Sequence, residues 1–218
     1  MNRFLAIAFA FSCMTGRIAA QQNWAAIPCS KMKDLDVVDR MIVDSLHNEI
    51  ILYSIDGETI CNTSYKGLFA YNGNSFHDLD RGLNTHEGGQ GTSGLYLRDC
   101  ITYGNKTLFG GFFNSVGTSP LYAKSLALWN GAVWDTFPKH IFRNVPSDNT
   151  GGGFFGFTKW NGKLWLYGGF DTIGNTVTKN LVAFDGNTFI PMPAIPVNNN
   201  APIVKMIEYK NKLVAFGN

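Results

Sequence analysis

Two glycine-rich stretches of this chain have the spacing of a phosphate-binding turn. G-x-G-x-x-G occurs at residues 151–156 and again at residues 89–94. In dinucleotide-binding proteins such glycines let backbone amides approach a pyrophosphate between a strand and a helix, and an acidic residue follows about 20 positions later. Here the segments that follow, "FFGFTKW" and "LYLRDCITY", favour strands, and no window after residue 20 has a convincing helical period. We therefore interpret these glycines as loop residues that supply backbone freedom.

The histidines are not expected to form a common site. We expect His47 in a tight turn and His77 on an outer strand, both far from any shared site. His86, followed by Glu87, lies in a long polar segment where it could contact a metal or a ligand, although such a histidine is usually solvated. The sequence predicts no catalytic residue, no metal site and no cofactor.

The elements that would position any site are predicted to be strands. Of the 218 residues, 45% are hydrophobic and 14% aromatic, which is enough for one domain with its own core. Only 16% are charged, and many polar positions are Asn, Thr, Ser and Gly, which is typical of strands and turns. The predicted fold class is all-β.

Residues 1–20 have the pattern of a secretory signal peptide. Arg3 precedes the apolar run "FLAIAFAFSCM", and small residues precede the expected cleavage before Gln21. The run is too short to span a membrane, and no later segment approaches about 20 apolar residues. We expect a secreted protein without a transmembrane segment; the alternative is a cell-surface protein lipid-anchored at Cys13.

The charge of the chain excludes one class of partner. The formal net charge is +2, and removal of Arg3 and Arg17 with the signal peptide would bring it to zero. No basic run occurs elsewhere, so nucleic acid is not an expected partner.

An internal repeat predicts the architecture. "FAYNGNSF" (69–76), "LALWNGAVW" (126–134) and "LVAFDGNTF" (181–189) each place Asn-Gly or Asp-Gly between two aromatic residues. These dipeptides favour the type I′ turn of a tight hairpin. Upstream, "CITYGNKTLFGGFFNSVG" (100–117) matches "GFTKWNGKLWLYGGFDTIG" (156–174), and "MIEYKNKLVAFGN" (206–218) begins in the same way. Together these segments predict units of four short strands over roughly 50–60 residues, the size of a propeller blade.

A fourth, outer strand is predicted in each unit. "FHDLD" (76–80), "WDTFP" (134–138) and "FIPMP" (189–193) share a leading aromatic residue and a hydrophobic residue three positions later, and "WAAIP" (24–28) has the same pattern before the first unit. This N-terminal copy could complete the last blade of a ring, because propellers often close by pairing an N-terminal strand with C-terminal ones.

The segment "GKLWLYGGFDTIGNTVTKNLVAFDGNTF" resembles a kelch-type repeat. It is even more similar to the repeats of secreted relatives of kelch in exported bacterial proteins and fungal cell-polarity surface proteins. The resemblance covers most of residues 40–218, most strongly 100–189, whereas the first unit lacks Gly-Gly after Tyr53. It implies a galactose-oxidase-like β-propeller over residues 21–218. About three and a half four-stranded blades fit, so we expect an incomplete ring, cut within its last blade at "KLVAFGN".

Chain order assigns the connections of such blades to two faces. The turns between first and second strands and between third and fourth strands lie on one face, which we call the short-turn face; turns of that length form no pocket. The longer connections, including 80–96, 138–154 and 194–202, lie on the opposite long-loop face, where ligands are expected. The candidate ligand-binding residues there are His86, Glu87, Asp148, Asn149 and Asp171.

Three cysteines remain after the signal peptide. None forms a C-x-x-C pair, so a zinc site is not supported, and an odd number in an exported protein suggests one disulfide and one thiol. Cys29 and Cys61 both fall on the long-loop side, so we predict a disulfide between them. Cys100 is predicted to be a buried thiol on an inner strand.

Three functions stay open at this point. The favoured one is a non-catalytic extracellular propeller that binds a protein or a glycan. The second is the N-terminal part of a secreted carbohydrate-active or galactose-oxidase-like enzyme with catalytic residues beyond residue 218. The third is a purely structural adhesion repeat. Galactose oxidase uses two Tyr and two His around copper, and no matching arrangement can be assigned here, so enzymatic activity is not favoured.

Overall fold

The computed structural model describes thirteen stretches of the chain, all of them strands and turns. They are residues 38, 40–54, 58–60, 63–65, 67–79, 83–84, 96–113, 115–117, 121–123, 125–137, 142–143, 154–192 and 202–217. Within them the protein is all-β, as predicted, and contains no helix of the length and apolarity needed to cross a membrane. The predicted signal peptide and the "WAAIP" strand lie outside the described residues.

Twenty-two strands make up these stretches. In chain order they are β1 (Arg40–Asp44), β2 (Glu49–Tyr53), β3 (Glu58–Ile60), β4 (Thr63–Tyr65), β5 (Leu68–Tyr71), β6 (Phe76–Asp78), β7 (Leu83–Asn84), β8 (Tyr96–Tyr103), β9 (Lys106–Phe112), β10 (Ser115–Val116), β11 (Leu121–Tyr122), β12 (Leu126–Trp129), β13 (Trp134–Thr136), β14 (Phe142–Arg143), β15 (Phe154–Trp160), β16 (Lys163–Gly168), β17 (Thr172–Ile173), β18 (Thr176–Val177), β19 (Leu181–Phe184), β20 (Phe189–Pro191), β21 (Ile203–Tyr209) and β22 (Lys212–Gly217).

The long strands form four successive antiparallel sheets. The first sheet has the order β1-β2-β5-β6, the second β8-β9-β12-β13 and the third β15-β16-β19-β20. The fourth sheet contains β21 and β22. Small sheets of two-residue or three-residue strands, β7-β10-β11, β14-β17-β18 and β3-β4, accompany them. The four-stranded unit expected from the repeat is therefore confirmed three times, and no sheet closes on itself within the described part.

The hairpins between third and fourth strands are confirmed, but their predicted turn type is wrong. The loops span residues 72–75, 130–133 and 185–188, and only their glycines, Gly73, Gly131 and Gly186, have positive φ, at 94°, 95° and 102°. A type I′ turn needs positive φ at both central residues. Instead, the side chain of the first loop residue bends back, so Asn72 Oδ1 accepts hydrogen bonds from the two N–H groups that follow Gly73, each at 3.0 Å. This local bond competes with the tighter turn.

The type I′ geometry occurs in two of the turns between first and second strands, those of the third and fourth sheets. Asn161 and Gly162 have φ of 49° and 71°, and Lys210 and Asn211 have 48° and 58°, each pair joining two strands directly. Both central residues are in the left-handed region, as this hairpin requires.

Apolar side chains between successive sheets form three cores. The first lies between the first and second sheets and includes Ile51, Phe109 and Trp129. The second lies between the second and third sheets and includes Leu108, Phe154 and others. The third joins the third sheet to the fourth. Burial of these faces is the main source of stability in stacked sheets.

The first strands of the four sheets lie side by side. β8 contacts both β1 and β15, and β15 contacts β21. The register shifts near the start of β8, β15 and β21, at Arg98, Phe155 and Val204 respectively. Such bulges increase local twist and bend a strand. Because all three occur at the same place in the repeat, the innermost strands bend alike.

Two glycines in this array are explained by packing. The ring of Phe154 occupies the space where a Cβ on Gly110 would lie, and the Tyr167 hydroxyl occupies that space at Gly156. Gly156 is the last glycine of the G-x-G-x-x-G stretch at residues 151–156, yet it lies within strand β15 and no helix follows it. Its role is close packing inside a sheet, so the phosphate-binding hypothesis is excluded for this stretch. Residues 151–153 and 89–94 lie outside the described residues.

Candidate functional site

The strand register defines equivalent positions in the four sheets. The last residue of each first strand pairs with the first residue of the second strand. These last residues are Asp44, Tyr103, Trp160 and Tyr209. The second residue of each second strand is Ile50, Thr107, Leu164 and Leu213. Three residues before the end of each first strand lie Met41, Cys100, Phe157 and Met206.

At two of the three interfaces these positions join an aromatic side chain to a leucine. Tyr103 and Leu164 belong to the core between the second and third sheets. Trp160 and Leu213 belong to the core between the third and fourth sheets. The interface between the first and second sheets places Asp44 and Thr107 at the equivalent positions, so one pair in the repeat is polar where its two sister pairs are apolar.

Asp44 is a fully buried carboxylate with a full set of donors. Its side chain is 2% exposed, and the Thr107 hydroxyl donates to it at 2.9 Å from Oδ1 and 2.8 Å from Oδ2. The backbone N–H of Leu46 donates to Oδ1 at 3.0 Å, and His47 Nδ1 lies 2.8 Å from Oδ2. Burial of a carboxylate is costly unless it is hydrogen-bonded in this way.

His47 extends the polar cluster to the next sheet. Its ring lies against Gly131 in the β12–β13 turn, where a Cβ would come within 3.1 Å of the imidazole Cδ2 and Nε2 atoms. His47 thus lies in a turn, as predicted, and its imidazole also approaches the second sheet. The β1–β2 turn has four residues rather than two, and this longer turn brings the imidazole back over Asp44 and across to the second sheet.

A cleft of about 230 Å³ opens beside this cluster. It lies on the short-turn face, next to the innermost strands. Its walls are Val43, Asp44 and Ser45 from the first sheet, Cys100, Ile101, Thr102 and Thr107 from the second, and Lys159 from the third. Ser45 of the β1–β2 turn lines this cleft, so the expectation that the turns of this face form no pocket is wrong. At the next interface the positions of Asp44 and Cys100 are taken by the larger Tyr103 and Phe157.

The walls carry hydrogen-bonding groups of both kinds. Ser45 Oγ and Thr102 Oγ1 lie 3.3 Å apart, so each retains capacity for a further partner. Lys159, whose side chain is exposed, also lines the cleft.

Cys100 is a free thiol in the cleft wall, which confirms the predicted unpaired state; the side chain is half-buried. Burial raises its pKa well above the ordinary value, and the carboxylates of Asp44 and Asp99 raise it further. The thiol therefore stays protonated near neutral pH and is a poor nucleophile.

Asp99 lies one residue before this thiol, on the other side of the strand. Its Oδ2 accepts a hydrogen bond from the backbone N–H of Phe157 at 2.9 Å and so ties β8 to β15. Burial raises the pKa of its carboxyl group, and the amide of Phe157 partly offsets that effect.

Of the predicted ligand-binding residues, only Asp171 lies in the described part. It lies between β16 and β17, at the end of the sheet opposite the Asn161-Gly162 turn, and thus on the long-loop face. Its backbone carbonyl accepts from the N–H of Thr178 at 2.9 Å, whereas its buried Oδ1 has no hydrogen-bond partner among the described residues. His86, Glu87, Asp148 and Asn149 fall outside the described residues, as do Cys29 and Cys61 of the predicted disulfide.

The cleft residues were missed because motif searches look for clusters in sequence. Asp44, Cys100 and Lys159 are far apart along the chain, and with Thr107 they match no catalytic or metal-binding spacing. Strand-by-strand alignment of the repeats carries the signal, since it shows polar residues at positions that are otherwise aromatic or aliphatic.

Comparison of the chain with family models, curated proteins and solved structures finds no match. Among the described residues, no group of three or more His, Cys, Asp and Glu side chains could hold a metal ion.

Proposed function

We propose that the four sheets are an arc of a kelch-type β-propeller, and that the protein is a secreted, non-catalytic module that binds a protein or a glycan on its long-loop face. The observation that carries this proposal is the side-by-side arrangement of the first strands β1, β8, β15 and β21 in chain order. Blades of a propeller are arranged in this way around a central channel.

The two faces of this frame differ in what they can present. On the short-turn face, loops of two to four residues join the strands of each sheet. On the other face the chain must cross from the second to the third strand of a sheet and from one sheet to the next. Long connections on a rigid frame are the usual place for partner binding.

Asp171 supports a polar ligand on that face. Asp171 is half-buried, and its carboxylate is an acceptor to which a hydroxyl or amide of a bound partner can donate. Sugars and peptide backbones both supply such donors.

Binding of the labelled full chain to a glycan array and to intact cells tests the proposal. Prior treatment of the cells with a protease or with glycosidases separates a protein partner from a glycan. We expect saturable binding that is lost when His86, Glu87, Asp148 and Asn149 are all replaced by Ala, and weakened by Asp171→Asn.

A matched control replaces exposed residues of the short-turn face, Asn74→Ala with Asn187→Ala. This control should bind like the unmodified chain. Absence of binding to both array and cells, or an equal loss in the control, would contradict the proposed function.

A further inference from the structure

We infer that the cleft between the first and second sheets is a second binding site, on the short-turn face, for a small neutral polyhydroxylated molecule such as a single sugar. The site does not depend on the proposed function, because it lies at the opposite end of the sheets from the long loops and shares no residue with them.

The internal repeat provides the comparison that carries this inference. Tyr103 with Leu164, and Trp160 with Leu213, show that the scaffold accepts an aromatic residue and a leucine at these positions. Only the first interface carries Asp44 and Thr107 there, and only this interface also replaces Phe157 and Met206 with the small Cys100. Asp44, Thr107 and Cys100 are thus smaller or more polar than the residues at the equivalent positions, and all three line one cleft.

Turn formation alone does not account for the buried carboxylate. Asn72, Asn130 and Asp185 make the same side-chain-to-backbone bonds in their own four-residue loops, and all three are exposed. A turn of this kind therefore needs neither burial of its acceptor nor a hydroxyl from the neighbouring sheet. The Asp44 carboxylate is both buried and hydrogen-bonded by the Thr107 hydroxyl of the neighbouring sheet, so a fixed charge lies behind the cleft wall.

The chemistry of the walls fits a neutral ligand rich in hydroxyl groups. The Asp44 carboxylate and the Lys159 ammonium have opposite formal charges, so the cleft favours neither an anion nor a cation. Ser45 and Thr102 offer hydroxyls that donate and accept. The volume lies below the range of about 300–1,000 Å³ that drug-sized ligands occupy, which limits the ligand to roughly one ring.

Isothermal titration calorimetry of the full chain measures binding at this site directly. Glucose, galactose, mannose, N-acetylglucosamine and inositol are the neutral probes; glucuronate and glucosamine are the charged ones. We expect at least one neutral probe to bind saturably.

Two variants locate the binding. Thr102→Val removes one hydroxyl without changing the side-chain shape and should weaken binding by about 3–10-fold. The double variant Asp44→Tyr with Thr107→Leu installs the sister pair of the next interface and should abolish binding by filling the cleft. Thr136→Val, on the outer strand β13, is the matched control and should leave binding unchanged.

Several outcomes would overturn the inference. These are no saturable binding of any neutral probe, preferential binding of glucuronate or glucosamine, and unchanged affinity in Thr102→Val. If the double variant does not fold, Thr102→Val alone decides, because it preserves side-chain volume. The variant in which His86, Glu87, Asp148 and Asn149 are all replaced by Ala should keep full cleft binding. Failure of the cleft site is therefore distinguishable from failure of the long-loop site.

Discussion

The first and second inter-sheet interfaces are built on the same backbone pattern but differ in their packing. Between the second and third sheets, Phe154 packs over Gly110, and Tyr103 meets Leu164 in a continuous apolar core. Between the first and second sheets the apolar core is interrupted toward the short-turn face, where Asp44 meets Thr107 and a cleft opens.

This comparison distinguishes the apolar packing common to the repeat from the polar groups that are found at one interface. The apolar version stabilises the stack through buried area. The polar version keeps its hydrogen bonds satisfied but gives up apolar contact and leaves open volume. In a quasi-repetitive fold each interface is a control for its neighbours, so the polar one is the place to look for binding.

The largest expected effect comes from emptying the apolar interface. Phe154→Ala removes a fully buried ring that packs against Gly110 and Phe157, so we expect the free energy of unfolding to fall by about 4 kcal/mol. Urea unfolding followed by intrinsic fluorescence measures it. Val177→Ala, at a side chain that is 78% exposed, is the control and should change stability little. A loss below about 1 kcal/mol for Phe154→Ala would mean that this interface is not the stabilising one.

Removal of the buried carboxylate should have the next largest effect. Asp44→Ala leaves the Thr107 hydroxyl and the Leu46 N–H without their acceptor, at a cost of about 3 kcal/mol in unfolding free energy. Asp44→Asn retains an acceptor oxygen and should cost clearly less in the same urea titration. Equal losses in the two variants would show that charge, and not the hydrogen bonds, holds this interface.

Adding one methyl group to the apolar interface should cost somewhat less. Gly110→Ala places a Cβ inside the Phe154 ring, so we expect a loss of about 2 kcal/mol. The same substitution in a Phe154→Leu background should be milder, because the smaller side chain yields space. Gly162→Ala has open space around its Cβ but a φ of 71°, and should cost about 1 kcal/mol. No rescue by Phe154→Leu would indicate that steric overlap is not the cause.

The smallest effect concerns the Cys100 thiol of the polar interface. Its pKa is raised in the folded chain by burial and by the Asp44 and Asp99 carboxylates. Above pH 9, the ordinary pKa of such a thiol, the unfolded chain loses this proton while the folded chain keeps it. Stability is therefore intact below pH 9 and falls as the pH rises, by about 1 kcal/mol near pH 10.

Comparison with Cys100→Ser isolates this contribution. Denaturation midpoints of both proteins between about pH 8 and pH 10.5 give the difference, and shared groups such as Tyr167, whose pKa burial raises to about 12, cancel. Parallel curves for the two proteins would show that the thiol is not shielded in the folded state.

Sequence alone predicted the strand units because their signals are local. An aromatic, an Asn-Gly or Asp-Gly and a second aromatic mark each outer hairpin, and β5–β6, β12–β13 and β19–β20 form there. The turn type was predicted wrongly because the Asn or Asp side chain takes the hydrogen bonds that a tighter turn would leave to the backbone. The cleft depends on contacts such as Asp44 with Thr107, which are 63 positions apart, and no local pattern encodes them.

The four-residue loops have a consequence for the chemical ageing of the protein. Asn-Gly is the dipeptide in which an asparagine side chain most readily hydrolyses, and Asn72-Gly73 and Asn130-Gly131 are both exposed. In the third repeat the same position is already Asp185, whose Oδ1 accepts the two equivalent N–H groups at 2.8 Å each. Conversion of either asparagine to aspartate would thus reproduce a loop that the molecule already contains, whereas isoaspartate, the main product of succinimide opening, adds a methylene to the backbone and would disturb the hairpin.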